Sequence, residues 1–240
     1  MSELLSAFRE NAIFILVSLL IFGGILGLAF LSQQKFCHKI RYQSPARFVS
    51  FIAMSSALSA VIMLLEIPLF FAPSFYQLDF SEVPVLIASF YLGPVAGVLV
   101  EFLKICIKLV LKGTTTAFVG DFANFVIGCS FVLPASILYH GGKSKKTAVL
   151  SMSAGTLCMT TFGSLFNAVY LLPKFSQLYG MPLDAIVAMG SAINPAIDSV
   201  ASLVLLAVVP FNLVKGVLVS TITFLLYKRV EKVLGRLFLK

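Results

Sequence analysis

The chain has 240 residues, 59% of them hydrophobic and only 12% charged, against about 25% charged in a soluble domain. With a mean hydropathy of +1.01, it reads as a polytopic membrane protein whose main partner is the lipid bilayer, with no room for a water-soluble domain of useful size. The formal charge of +8 does not signal nucleic acid, because the lysines and arginines sit mostly in short loops and tails, where they set topology.

The first apolar segment, Asn11–Leu31, is too long for a secretory h-region, and no small-residue cleavage site follows. Basic residues come after it (Lys35, Lys39, Arg41, Arg47), so it reads as a retained helix with its N-terminus outside. Residues 1–45 then form an N-terminal membrane helix with a basic cytoplasmic linker, and residues 46–240 form the main membrane domain. The next segment, Phe48–Phe70, carries two strips of small residues, Ala53-x-x-x-Ala57 and Ser56-x-x-x-Ala60. Such strips let helices approach closely; internal packing and docking of a partner protein fit the spacing equally.

Leu78-Asp79-Phe80-Ser81-Glu82-Val83-Pro84 ends a loop and opens a short helix, Val83–Leu92. Ser81 or Asp79 can cap it, and Glu82 suits its dipole; a loop stiffened by Pro68, Pro73 and Pro84 can also close over a solute. Gly93-Pro94 breaks the helix before Val95–Leu111. A short helix of this kind is tolerated where it lines a cavity rather than lipid, and points to a binding site. Glu101, Lys104 and Lys108 share one helix face, and internal pairing of Glu101 with Lys104 or Lys108 is expected. Charges at this depth imply a polar interior.

In Phe118–Tyr139, Asp121 and Asn124 lie three residues apart, fit for interhelical hydrogen bonding or for lining a pocket. Ala148–Leu172 follows. The stretch from Asp184 to Ala201 reads as an amphipathic or re-entrant piece. Leu203–Tyr227 contains Pro210-Phe211-Asn212-Leu213-Val214-Lys215-Gly216. Asn212 and Lys215 share a face. A lysine there either snorkels to the interface or faces a polar cavity, and the amide beside it favours a pair addressing one polar solute.

Basic clusters at Lys35–Arg47, Lys143–Lys146 and Lys228–Lys240 fall on one side if the short pair counts as two crossings. The positive-inside rule makes that side, with the C-terminus, cytoplasmic. Cys37, Cys106, Cys129 and Cys158 make no C-x-x-C pair, and His38 and His140 are isolated, so no metal site or disulfide framework is expected. Gly142-Lys143-Ser144 ends like a Walker A motif, but Ile137 stands where its first Gly belongs. No cofactor site and no catalytic constellation appear, which argues against a membrane enzyme. A stand-alone secondary transporter should show internal repeats, and none is clear.

These motifs together resemble the substrate-binding S components of energy-coupling factor (ECF) transporters, and among them the riboflavin-specific type, over approximately Phe48 to Lys232. The resemblance rests on the Leu78–Pro84 heptad, Leu92-Gly93-Pro94-x-x-Gly97, Gly120-x-x-x-Asn124-Phe125, Asn167 followed by Leu172-Pro173, and Pro210-Phe211-Asn212-x-x-Lys215-Gly216. It implies a six-helix membrane bundle with riboflavin in its outer half and a loop closing over it. It also implies association with a membrane coupling subunit and two cytoplasmic ATPases, which alone use ATP. By position, Asn167, Asn212 and Lys215 match groups that address the flavin, and Leu78 with the nearby loop matches the lid. The candidate ligand-binding residues are Leu78, Asp79, Asn124, Asn167, Asn212 and Lys215; the candidate docking pair is Ala53 and Ala57. Asn can give and take at the isoalloxazine rim, and Lys can donate to carbonyl or ribityl oxygens; riboflavin, FMN and their analogues all satisfy this chemistry. Two features depart from the pattern: the extra helix Asn11–Leu31 and a long connection between Pro173 and Pro210.

Overall fold

The computed structural model describes residues 2–37, 44–73, 75–114 and 116–238. His38, Lys39 and Arg41 of the predicted linker, and Lys240 of the basic tail, lie outside the described residues. The fold is helical apart from one short two-stranded hairpin. Five helical stretches among the described residues are long and apolar enough to cross a bilayer, and a short apolar helix and a charged one stand among them.

Helix α1 (Ser2–Phe36) runs beyond both predicted ends. It packs on α4 (Pro94–Lys112) and α5 (Val119–Gly142), with Phe22 4.3 Å from Phe102 and 5.7 Å from Phe125 between ring centroids. Its opposite flank exposes Leu16, Leu19, Leu20, Leu28 and Leu31, a surface suited to hydrocarbon.

Helix α2 (Pro45–Met63) starts with Pro at its first position, where the missing N–H costs nothing. It ends well before the predicted Phe70. Pro68 disfavours helix at the residue before it, and Ile67–Pro68 (β1) instead pairs antiparallel with Gln77–Leu78 (β2). The two small-residue strips separate: Ser56 and Ala60 are buried against the bundle, whereas Ala53 and Ala57 are exposed.

Helix α3 (Glu82–Leu92) ends at Gly93, whose φ of 99° a residue with a Cβ rarely adopts; α4 begins on Pro94. This is the predicted break. Helix α5 is followed by α6 (Lys145–Phe166), whose N-cap Ser144 accepts from the Thr147 N–H at 3.0 Å, satisfying an otherwise orphaned donor.

The predicted connection between Pro173 and Pro210 is corrected. Helix α6 continues through a π-helical segment, Asn167–Leu171, into α7 (Leu172–Tyr179). After α8 (Leu183–Ser191), the last helix starts at α9 (Val200–Leu203), passes a second π segment, Val204–Val208, and runs on as α10 (Val209–Phe238). Each π segment ends two residues before a proline. A proline inside a helix lacks its N–H and presses on the carbonyl four residues back; a wider turn there lets the helix run on. The prolines therefore bend the register of two helices rather than end them.

Helices α2, α3, α4, α5, α6 and α10 form the six-helix bundle, with α1 against its side. One apolar cluster, around Leu86, Phe131, Tyr139, Met159 and Val219, fills the bundle centre. A second, around Tyr76, Leu78, Leu172, Ile197, Leu203 and Phe211, joins the hairpin to α7, α8 and the start of the last helix.

Candidate functional site

A polar cavity of about 180 Å³ opens beside the hairpin. Five of the six predicted ligand residues line it: Asp79, Asn124, Asn167, Asn212 and Lys215. Leu78 does not; it is buried in the apolar cluster beneath the hairpin. The aromatic wall is Phe75, Tyr76, Phe175 and Phe211.

The π segments set the polar side of this wall. Asn167 opens the first one and is buried. Its amide donates to the Gly163 carbonyl at 2.8 Å, while its Oδ1 accepts from the Tyr76 hydroxyl at 2.9 Å. Burial pushes the Tyr76 phenol up from its ordinary value, so it stays a donor. Tyr76 also lies against Phe211, 5.5 Å between centroids. Asn212 follows the second π segment and is buried with its Nδ2 unpartnered.

Lys215 does not snorkel. The last helix begins fifteen residues before it, about 22 Å at 1.5 Å per residue, so it lies in mid-span rather than near a helix end. It is buried, with Nζ 2.9 Å from Asp79 Oδ2 and 3.5 Å from Glu82 Oε1. Asp79 Oδ1 accepts from the Ser81 N–H at 2.9 Å. Burial raises the Asp79 carboxyl, but Lys215 and Lys104 outweigh it and hold it down at about 2. The expected capping role of Ser81 is corrected: its hydroxyl donates to Glu82 Oε2 at 2.7 Å instead.

The network continues inward. Lys104 lies 2.7 Å from Glu82 Oε2, 2.7 Å from Glu101 Oε1 and 2.9 Å from Ser81 Oγ. The expected pairing of Glu101 with Lys104 is present. Lys108 goes elsewhere: it reaches across to Asp121 on α5 at 2.6 Å and to the Gly113 carbonyl at 3.2 Å. Glu101 packs directly on Gly128 of α5, where any Cβ would collide with its carboxylate. Buried charges persist only when paired and hydrogen-bonded, and these pairs tie the hairpin to α3, α4, α5 and α10. At the mouth, Lys112 pairs with Glu66.

Sequence reasoning missed Tyr76 and Phe211 as cavity walls and Glu82 as a shared counter-ion. Glu82 had a signal, an acid amid apolar residues; the aromatic residues had none among 23 Phe and 7 Tyr.

A family profile described as "ECF transporter, substrate-specific component" matches residues 47–227. The chain is 34% identical over 199 residues to the riboflavin transporter RibU of Staphylococcus aureus, covering 83% of this chain and 97% of that protein. It is 30% identical over 181 residues to the riboflavin transporter FmnP of Bacillus subtilis, covering 75% and 90%. A solved structure, described as the S component of a bacterial ECF transporter, superposes with a TM-score of 0.63 at 33% identity, covering 80% of this chain and 99% of that one.

Proposed function

The chain belongs to the substrate-specific components of ECF transporters, and from that premise we propose that it captures riboflavin in the cavity under the hairpin and hands it to an ATP-driven module. The observation that carries this reading is the cavity itself: amides, ammonium groups and aromatic rings lining one space within the helical bundle. A flavin has the complementary form, a flat apolar face with a rim of acceptors and one imide donor. Asn212 offers an unpartnered N–H to that rim, and Lys215 and Asn124 add donors. The two relatives named above are riboflavin transporters, which supports the same ligand.

Residues 46–240 act as the binding unit, with 1–45 an addition to it. The chain works without a cofactor of its own; a membrane coupling subunit and two cytoplasmic ATPases supply the energy. The exposed pair Ala53 and Ala57 on α2 is where the coupling subunit approaches. Lys143, Lys145 and Lys146 lie at the bundle end opposite the hairpin, which supports a cavity in the outer half of a multi-pass cell-membrane protein. The C-terminus is then cytoplasmic and the N-terminus extracellular.

Titrating purified protein into micromolar riboflavin tests the reading: saturable quenching of flavin fluorescence without ATP is expected, and its absence refutes it.

A further inference from the structure

Independently of the flavin reading, we propose that the N-terminal helix builds a second binding site: a crevice between α1, α4 and α5 that lodges an acyl chain of a bilayer lipid. Helix α1 lies outside residues 47–227, which the family profile matches, so the site belongs to the addition.

The crevice has a volume of about 230 Å³, and residues of all three helices line it. Three rings prop it open. Phe22 of α1 lies 4.3 Å from Phe102 of α4 and 5.7 Å from Phe125 of α5, and those two lie 6.1 Å apart between centroids. Rigid rings in contact keep α1 from closing onto Ile105 and Leu109, which line the same space. Asp121 is the one charged residue on the wall among the described residues, and Lys108 neutralises it at 2.6 Å. Ser18 adds a single hydroxyl. A buried water makes about three hydrogen bonds, more than one hydroxyl and one already paired carboxylate supply, whereas an apolar cavity of about 150 Å³ stays dry and takes up hydrocarbon.

The mouth of the crevice faces lipid. Leu19 and Phe118 line it and are also 62% and 54% exposed, so it is continuous with the leucine-rich outer surface of α1. Helices α1 and α5 are both long and apolar enough to cross the bilayer, and what stands against such a mouth in a membrane is hydrocarbon. Backbone geometry holds Phe118 at the rim. Ala117 and Phe118 have φ of 45° and 68°, a region that residues with bulky side chains rarely enter, and the Phe118 N–H donates to Thr114 Oγ1 at 2.9 Å. The lysines on the adjoining stretch of α4 are committed, Lys108 to Asp121 and Lys112 to Glu66. The site therefore reads the chain and not the headgroup, and takes zwitterionic and anionic lipids alike.

The chain has no Trp, so one introduced Trp reports its own surroundings. The test uses full-length, flavin-free Phe118→Trp, with Leu28→Trp as control, since Leu28 is 57% exposed on α1 and does not line the crevice. Each is reconstituted in vesicles of dibrominated phosphatidylcholine, whose bromine quenches Trp on contact, then dissolved and washed in dodecyl maltoside to strip ordinary lipid. The fraction still quenched should be about tenfold higher in Phe118→Trp than in Leu28→Trp, the worth of about ten additional carbon contacts. Adding Ile105→Phe to Phe118→Trp fills the crevice and should abolish the difference. Equal quenching at the two positions, or full recovery at both, would overturn the proposal, as would a difference that Ile105→Phe leaves intact. Dibrominated phosphatidylglycerol should give the same result; retention of that lipid alone would mean a headgroup site and overturn the assignment to the chain. If Phe118→Trp does not fold, Leu19→Trp on the facing wall decides by the same comparison.

Discussion

Combining Lys215→Met with Asp79→Asn separates two jobs proposed for one ammonium group, holding the hairpin and meeting the ligand. Lys215 pairs with Asp79 at 2.9 Å and lies 3.5 Å from Glu82, and it also lines the cavity. Removing one partner of a buried pair costs about 3–5 kcal/mol, because the other charge is left uncompensated. A hydrogen bond from a charged donor to a ligand is worth about 1.5–3 kcal/mol, or roughly 10- to 150-fold in affinity. Lys215→Met alone therefore loses both stability and flavin affinity and cannot tell the two apart. Asp79→Asn/Lys215→Met removes both charges. Thermal unfolding in detergent should show the double variant recovering most of the stability lost by the single one, the coupling expected of residues in contact. Flavin titration should show it still at least tenfold weaker than wild type. Wild-type affinity in the double variant would refute the reasoning: Lys215 would then serve only to hold the hairpin and would leave the list of ligand residues.

Ala53→Trp or Ala57→Trp should leave riboflavin binding unchanged and abolish uptake in cells carrying the coupling module, since both residues face outward on α2; equal loss of binding would show that the strip packs internally. Tyr76→Phe frees Asn167 Oδ1 from its present partner and should tighten flavin binding by about two- to tenfold, the worth of one neutral hydrogen bond; weaker binding would mean that the hydroxyl itself serves the ligand. Asp79 ionises near 2 in the fold against about 3.9 unfolded, so its contribution is complete above the unfolded value and is lost as pH falls through about 2. The Asp79–Lys215 latch should accordingly be constant between about pH 5 and 8, checked by comparing the pH profiles of flavin affinity in wild type and Asp79→Asn.

The local features of this chain were legible and the long-range ones were not. Gly93-Pro94 announced its break because both residues act through their own backbone. Glu101 and Lys104 announced their pairing because helical spacing alone brings them together. Lys108 lies on the same face but two turns from Glu101, and Asp121 on the neighbouring helix takes it; that choice depends on how two helices pack. Asp79 and Lys215 are 136 positions apart, and no pattern along the chain couples them. Asn124 and Asn212 stood out as amides in apolar helices, Asn167 was named only by the family resemblance, and the structure gathers all three at one cavity. Pro173 and Pro210 misled, because the rule that proline ends a helix assumes an α-helical turn before it, and both turns here are wider.

Those two π segments also decide where the chain can tolerate a change of length. The turn at Val204–Val208 holds one residue more than an α-helical turn, so a single deletion there would close it to α-helical form and leave Asn212 and Lys215 facing the cavity. Keeping all five residues but winding them as α-helix would instead rotate everything beyond them by roughly 100°. Asn212 and Lys215 would then swing off the cavity together, and the Asp79 latch with them, while the Glu82–Lys104–Glu101 cluster on α3 and α4 stayed in place. Leu205 and Leu206 in the same stretch face outward, so exchanging one apolar side chain for another there costs little. The aim of the last helix thus rests on the width of one turn.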